Sequence, residues 1–282
     1  MIVEENRRLA REVYQLRQRT EAFESSRWWR LHPRFAVRRM LARVPIPEIS
    51  DGHVQGEEAE PVRHRADTMA EKFRRDVLLE GSFSQDWFTP HIPRWEKFLA
   101  PLEGRSARIL EIGSFEGLSA CFFLWRLPDA RITCIDTFAG APDYPAYGIS
   151  TIDLERRFDA NVSLVDASRV AKRAGDSRRI LLDLVTDATE SFDVIYVDGS
   201  HMALDVVVDA ALSWQLLSEN GLLIFDDYGG GAVDPDPLRH VKPAVDAFLE
   251  LVSAHSTVLV RERQVVVRKR QPPSSALESA ST

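Results

Sequence analysis

Three carboxylates and one histidine stand where this chain could do chemistry. Asp198 follows directly on the apolar run Phe192 to Val197 (FDVIYV), the pair Asp226-Asp227 follows directly on Leu222 to Phe225, and His201 lies three residues past Asp198. Each run reads as a buried strand, and strand ends in a doubly wound sheet converge on one crevice. Carboxylates meeting there repel one another unless a cation sits between them. Oxygen-only ligation suits a hard ion, Mg2+ or Mn2+, which keeps positions open for substrate oxygens. His201, at the start of the next helix, can face the same crevice and take a proton from a hydroxyl, since an ordinary pKa of about 6.5 suits a base at neutral pH. Taken singly, each aspartate also fits a helix cap or turn, and His201 a surface histidine near a helix start. His32, His53, His64, His91, His240 and His255 have no such company.

A second group of residues points to a bound nucleoside. From Arg108 to Phe138 the chain reads RILEIGSFEGLSACFFLWRLPDARITCIDTF. The pattern predicts a buried strand to Ile112, a turn from Gly113 to Gly117, a helix from Leu118 to Leu127, and a second strand from Ile132 to Ile135 closing on Asp136: a βαβ unit. Gly113 allows a sharp turn at the strand end, and Gly117 lets the helix start close to whatever lies over the turn, with free N–H groups facing the crevice. Asp136, 23 residues after Gly113, sits where a carboxylate can accept hydrogen bonds from both hydroxyls of a ribose. S-adenosylmethionine and a nicotinamide dinucleotide both fit this unit. Phe115 and Leu118 occupy the second and third glycine positions of the dinucleotide pattern, which denies a pyrophosphate its close backbone approach, whereas adenosylmethionine has no pyrophosphate. Plain strand-helix packing would also use these glycines.

The elements that must position these groups follow in order. Helical patterns over Ala66 to Leu79 and Pro93 to Leu99 flank a turn region from Gly81 to Pro90 and lead into the first strand. Beyond Asp136, the glycine- and proline-punctuated segment Thr137 to Ser150 lies at the carboxyl edge of the sheet, where loops carry ligand contacts. A helix is predicted over Asp153 to Leu164, a strand over Arg169 to Lys172, a turn and cap at Asp176 and Ser177, and a helix over Arg178 to Val185. After the fourth strand and Asp198, a helix from Ala203 to Leu217 ends at Gly221, and the fifth strand runs to Phe225. A helix from Pro237 to Ser253 and two strands, Thr257 to Val260 and Val265 to Val267, close the pattern. The result is an α/β fold: a doubly wound, mostly parallel seven-stranded sheet with helices on both faces and one antiparallel strand.

At 282 residues the chain is long enough for one large core plus an extension. No apolar run approaches the roughly 20 residues that span a bilayer, and the start MIVEENRRLAREV has charges where a signal peptide needs an apolar centre. Cys121 and Cys134, the only cysteines, fall within apolar elements, as core thiols of a reduced, cytoplasmic protein do. The net charge of −7 divides unevenly: residues 1–50 carry +5 and the remainder −12. An acidic body makes nucleic acid a poor partner.

Ile2, Leu9, Leu16 and Phe23 recur every seven residues, with Asn6, Val13 and Thr20 between them. This heptad seam argues for a short coiled coil that makes a homo-oligomer or packs on a neighbour, a single solvated arm being the alternative. Ser25 to Arg43 then sets six arginines and no acid among Trp28, Trp29, Leu31, Phe35, Val37, Met40 and Leu41. That mixture suits peripheral contact with an anionic membrane, or a basic helix covering the protein's own body. The segment resembles the SS-x-x-W-R-L stretch near coiled coils in bacterial glycosyltransferases. The expected organisation is a coiled-coil and basic aromatic segment over 1–45, a linker over 46–64, a catalytic domain over 65–270 and a disordered tail over 271–282.

EIGSFEGLSA, CIDTF, IYVDGSH and LLIFDDY, in that order, resemble the class I S-adenosylmethionine-dependent O-methyltransferases of the metal-dependent kind, related to catechol and caffeoyl-CoA methyltransferases. The D-G-S-H form is closer to the branch that methylates sugars of macrolides and other glycosides. The resemblance covers roughly residues 90 to 268. It implies that Glu111, Gly113, Ser114, Gly117 and Ser119 hold the methionine end of the cofactor, that Asp136 holds the ribose, and that Asp176 and Ser177 lie near the adenine. It also implies that Asp198, Asp226 and Asp227 bind the metal, with His201 as the base. Catechol-type enzymes carry Asn where Asp227 stands, so the extra charge bears on metal affinity. The expected activity is Mg2+-dependent transfer of a methyl group to a hydroxyl of a sugar or glycoconjugate. A catechol-type acceptor, an NAD-dependent oxidoreductase and a non-catalytic cofactor-binding scaffold are the alternatives.

Overall fold

The computed structural model describes residues 67–141, 144, 148–187, 190–229 and 236–271. The heptad seam, the basic aromatic segment, the linker and nearly all of the tail lie outside the described residues. The chain divides into two units, one of residues 67–140 and 151–282 and another of residues 1–66 and 141–150. The sheet belongs to the first. Among the described residues no helix is long and apolar enough to cross a membrane.

The seven strands are β1 (Arg108–Ile112), β2 (Arg131–Asp136), β3 (Val170–Ala174), β4 (Phe192–Val197), β5 (Leu217–Phe225), β6 (Ser256–Arg261) and β7 (Val265–Lys269). Their order across the sheet is β3-β2-β1-β4-β5-β7-β6. Neighbours from β3 to β5 pair in parallel, and β7 pairs antiparallel with both β5 and β6. The sheet reverses direction of growth at β1 and β4, and that switch point is where ligands bind in folds of this kind.

Helices cover both faces, as the near-continuous apolar character of the central strands requires. On one face lie α1 (Met69–Phe73), α2 (Ile92–Leu99), α3 (Leu118–Arg126) and α4 (Leu154–Ser163), whose Phe73, Trp95, Phe122 and Phe158 share a cluster with Ile109 of β1 and Tyr196 of β4. On the other lie α5 (Ser177–Asp187), α6 (Ala203–Leu216) and α7 (Val241–Leu251), which pack on Leu110, Ile112, Ile195 and Val197. Alternate residues of each strand therefore serve opposite layers. Trp95 is central to the first layer, with its ring 4.9 Å from Phe88, 5.0 Å from Phe123 and 4.7 Å from Tyr196.

Two local expectations need correction. The predicted helix from Ala66 splits into the short α1, opened by a capping box between Thr68 and Glu71, and a wider π-helical turn over Arg74–Leu78. Gly221 does not end α6. The helix stops at Leu216 and runs straight into β5, Asn220 takes the left-handed conformation at φ 64°, and Gly221 lies inside the strand. A side chain on Gly221 would meet the Ser218 carbonyl at 2.8 Å, so close backbone approach explains the glycine.

Candidate functional site

The turn after β1 is shaped by the absence of side chains, as its glycines suggest. A Cβ on Gly113, at φ 89°, would lie 2.1 Å from the carbonyl oxygen of Asp198. Gly113 donates its N–H to Ile135 at 2.8 Å and Asp198 donates to Ile112 at 2.8 Å, so three strand ends meet at this glycine. Gly117, at φ 81°, precedes α3, and a Cβ there would press on Phe158 at 2.9 Å and Val162 at 3.2 Å. What lies over the turn is helix α4. The same layer pins the segment before α2: Glu116, buried, pairs with Arg157 at 2.8 Å and accepts from the Ser84 N–H at 2.5 Å, while Asn161 accepts from the Ser82 N–H at 2.7 Å.

Glu111 sits in the middle of this floor with no exposure to solvent. Burial pushes its carboxyl from an ordinary 4.5 up to about 7; the polar neighbours Ser114, Ser119 and Cys134 hold it back and the charge of Asp136 adds to it. The Cys134 thiol lies 3.6 Å from Oε2. Among the described residues, Oε1 of Glu111 and Oγ of Ser114 are buried without a hydrogen-bond partner. Buried polar atoms are normally satisfied, so an unpaired carboxylate oxygen beside an unpaired hydroxyl fits the ammonium and carboxylate of a bound amino acid. Cys121 and Cys134 are unpaired and buried.

Asp136 has a structural role that its sequence position did not reveal. Its Oδ2 accepts from the N–H of Phe115 and its Oδ1 from the N–H of Phe138, each at 2.7 Å. Both phenylalanines are left-handed, at φ 48° and 52°, so the carboxylate holds two strained residues in place. Burial raises the Asp136 pKa, and these backbone donors offset part of the rise. The next strand end abuts it, since Gly175 donates to the Asp136 carbonyl at 2.8 Å. There Asp176 accepts from the Arg178 guanidinium at 3.0 Å and from the Arg179 N–H at 3.3 Å, and the Ser177 hydroxyl donates to Asp209 of α6 at 2.8 Å.

The acidic cluster lies one strand to the other side. Ligating atoms of Asp198, His201 and Asp227 fall within 4.8 Å of one another. His201 Nε2 is 2.8 Å from Asp227 Oδ2. Asp227 is left-handed at φ 54°, a conformation Asp tolerates better than most residues, and its N–H donates to Asp226 Oδ1 at 2.7 Å. Burial raises the Asp198 carboxyl well above the usual range, and the charges of Asp226 and Asp227 raise it further. Burial acts in the same direction on Asp227, but the hydrogen bond and charge of His201 outweigh it and hold that carboxyl below its ordinary value. A cluster whose carboxylates repel one another fits a divalent cation, because their negative charge would then be stabilised rather than opposed.

Asp226 stands slightly back from this group. The Tyr196 hydroxyl makes a short hydrogen bond to Asp226 Oδ2 and lies 3.0 Å from Asp198 Oδ2, so one phenol bridges two of the acids. Gln264, fully buried, donates to Asp226 Oδ2 at 2.8 Å and accepts at 2.8 Å from the Trp95 indole. Tyr196, Gln264 and Trp95 thus fix the acids from three different elements. His91, which seemed isolated in the sequence, is also here: burial lowers its pKa, Arg94 and Arg263 lower it further, and Asp226 and Asp227 oppose them. Tyr196 was open to discovery, being two residues before Asp198 on the strand that leads into it; the others come from distant segments.

Residues 110–228 match the family model of a methyltransferase domain. The strand order, with the candidate site at its switch point, is that of a doubly wound α/β fold, and the matched residues run from its first strand to the end of the acidic cluster. No curated protein matches the chain by sequence. Among solved structures it is similar to the MycE methyltransferase from the mycinamycin biosynthetic pathway, in complex with Mg, S-adenosylhomocysteine and mycinamycin VI, at 18% identity and a TM-score of 0.50. That match covers 74% of this chain and 58% of MycE, so the chain spans under two thirds of MycE's length. It is also similar to the O-methyltransferase TomG from Streptomyces achromogenes, involved in tomaymycin synthesis and in complex with S-adenosylmethionine. There the identity is 18% over 73% of this chain and 92% of TomG, with a TM-score of 0.51. At such identities the likeness concerns the fold.

Proposed function

We propose that this protein transfers a methyl group from S-adenosylmethionine to a hydroxyl of a sugar or glycoconjugate, with a divalent cation, Mg2+ or Mn2+, at the acidic cluster. The observation that carries this reading is the backbone contact between the two halves of the site: the space a Gly113 side chain would fill is taken by the carbonyl of Asp198. A methyl donor lying on the glycine turn is thereby next to an acceptor held at the acids, and such placement removes much of the entropic barrier to a bimolecular transfer.

Glu111, Ser114 and Ser119 bind the methionine end, and Asp136 the ribose, with Asp176 and Ser177 towards the adenine. Asp198 and Asp227 supply the cation with carboxylate oxygens, and Asp226, anchored by Tyr196 and Gln264, keeps the pair in position and lends its own charge. A cation bound there draws a hydroxyl's electrons towards itself and makes its proton easier to remove. His201 takes that proton, and Asp227, hydrogen-bonded to the imidazole, stabilises the positive charge that forms. The buried floor around Glu111 and the aromatic layer above it keep water from competing for the methyl group. MycE, in complex with Mg, S-adenosylhomocysteine and mycinamycin VI, and TomG, named an O-methyltransferase, support a cation beside the methyl donor and oxygen as the atom methylated.

The test is transfer of labelled methyl from S-adenosylmethionine across a panel of glycosides and phenols, with Mg2+ and with excess chelator. Label should appear in sugar ethers and vanish with chelator. Full transfer in chelator, or label only on nitrogen or carbon, would overturn the reading.

A further inference from the structure

The turn between β6 and β7 sets the backbone of Arg263 beside the acidic cluster. Gly229, two residues past Asp227, donates its N–H to the Arg263 carbonyl at 3.1 Å. A Cβ on Gly229 would lie 2.7 Å from the Arg263 Cα and 2.9 Å from the Glu262 carbonyl, so the two turns are in backbone contact. The next residue, Gln264, is locked to Asp226 and Trp95. Arg263 therefore has a fixed origin beside Asp226 and Asp227, and its charge reaches both Asp227 and His91.

Its guanidinium is exposed and makes no hydrogen bond or ion pair among the described residues. The neighbouring arginines differ: Arg94 pairs with Glu262, and Arg261 pairs with Asp246 at 2.6 Å and donates to Tyr228 at 2.7 Å. An unpaired guanidinium next to a cation-binding site works against the cation by like-charge repulsion. That arrangement becomes favourable when an anion lies between or beside the two. Guanidinium groups bind phosphate and carboxylate through paired, charge-assisted hydrogen bonds that a neutral hydroxyl cannot match.

We propose that Arg263 receives an oxyanion, a phosphate or a carboxylate, carried by the methyl acceptor, so that the acceptor is an acidic sugar derivative. The proposal rests on the reading above that the cluster faces a sugar hydroxyl. Arg263 is then a specificity-determining residue.

Binding to the full chain loaded with S-adenosylhomocysteine and Mg2+ tests this without turnover. The probes are glucose 1-phosphate, glucuronate and methyl glucoside, titrated into wild type, Arg263→Gln, Arg263→Lys and, as a control for net charge, Arg261→Gln. Wild type should bind an acidic probe about tenfold or more tighter than methyl glucoside, the contribution of a charge-assisted hydrogen bond or two. Whichever acidic probe is preferred identifies the oxyanion as phosphate or carboxylate. Arg263→Gln should remove the preference, Arg263→Lys should keep part of it, and Arg261→Gln should leave it intact. Equal affinity for acidic and neutral probes in wild type, or a preference that survives Arg263→Gln, would overturn the proposal. Labelled methyl transfer reads the underlying function separately: sugar methylation with no acidic preference defeats only the role of Arg263.

Discussion

Replacing Glu111 by Gln isolates what it costs to hold a carboxylate at the floor of the cofactor turn. The side chain is fully buried and its carboxyl is pushed from 4.5 to about 7. A carboxyl with a raised folded-state pKa binds its proton more tightly when folded. Its contribution to stability is complete below about pH 4.5 and is lost as the pH rises to about 7. At roughly 1.4 kcal/mol per pH unit, the loss across that window amounts to about 3 kcal/mol. The Glu111→Gln variant has nothing to ionise there, and all other carboxyls are common to both proteins. Its stability relative to wild type, in the absence of cofactor, should therefore rise by about 3 kcal/mol between pH 4.5 and 8. Urea unfolding at stepped pH measures this difference directly. The same variant should bind S-adenosylmethionine at least about tenfold more weakly, because an amide cannot offer an anionic acceptor to the ammonium. A stability difference that stays flat with pH would show that Glu111 is not held out of water as described, and unchanged cofactor affinity would remove it from the methionine site.

Other substitutions probe the remaining parts. Tyr196→Phe removes the phenol that bridges Asp198 and Asp226 and should weaken Mg2+ or Mn2+ binding by about 10- to 100-fold while sparing S-adenosylmethionine; a metal titration indistinguishable from wild type would contradict this. Gly113→Ala places a methyl group against the Asp198 carbonyl and should destabilise the protein by about 3 kcal/mol or more, so an unchanged melting temperature would count against the observed strand-end contact. Asp136→Ala loses both the ribose ligand and the pin on Phe115 and Phe138, and calorimetry should show S-adenosylmethionine binding reduced about tenfold or more; equal affinity would return Asp136 to a purely local role. His201→Ala should keep both ligands yet lose about 10²- to 10⁴-fold in rate, with partial recovery at high pH, and an unaltered rate and pH profile would exclude it as the base.

The sheet was legible because its central strands are apolar runs bounded by turn residues, and β1, α3 and β2 fall within a residue or so of where the pattern put them. The start of β5 was not legible. Ser218, Glu219 and Asn220 carry no strand signal, and a glycine after a helix usually reads as its cap; here parallel pairing with β4 extends the strand back to Leu217. The acids and His201 could be named because they stand at or within a few residues of strand ends. The residues that hold them could not, with the exception of Tyr196. Gln264 reaches Asp226 from 38 residues away and Trp95 reaches Gln264 across 169, and no local pattern encodes a contact of that span. The glycines illustrate a different limit. Gly113 reads as a sharp turn and Gly117 as a site of close approach, but the sequence could not say that Asp198 and Phe158 are what crowd them.

Crystals grown with Mn2+ and S-adenosylhomocysteine provide the most direct test of the central claim, that one crevice holds a methyl donor and a cation side by side. Anomalous diffraction should locate the metal with carboxylate oxygens of Asp198 and Asp227 as ligands, and the nucleoside should lie along the turn from Gly113 to Gly117 with its ribose on Asp136. Manganese bound elsewhere, or a nucleoside bound away from that turn, would contradict the account.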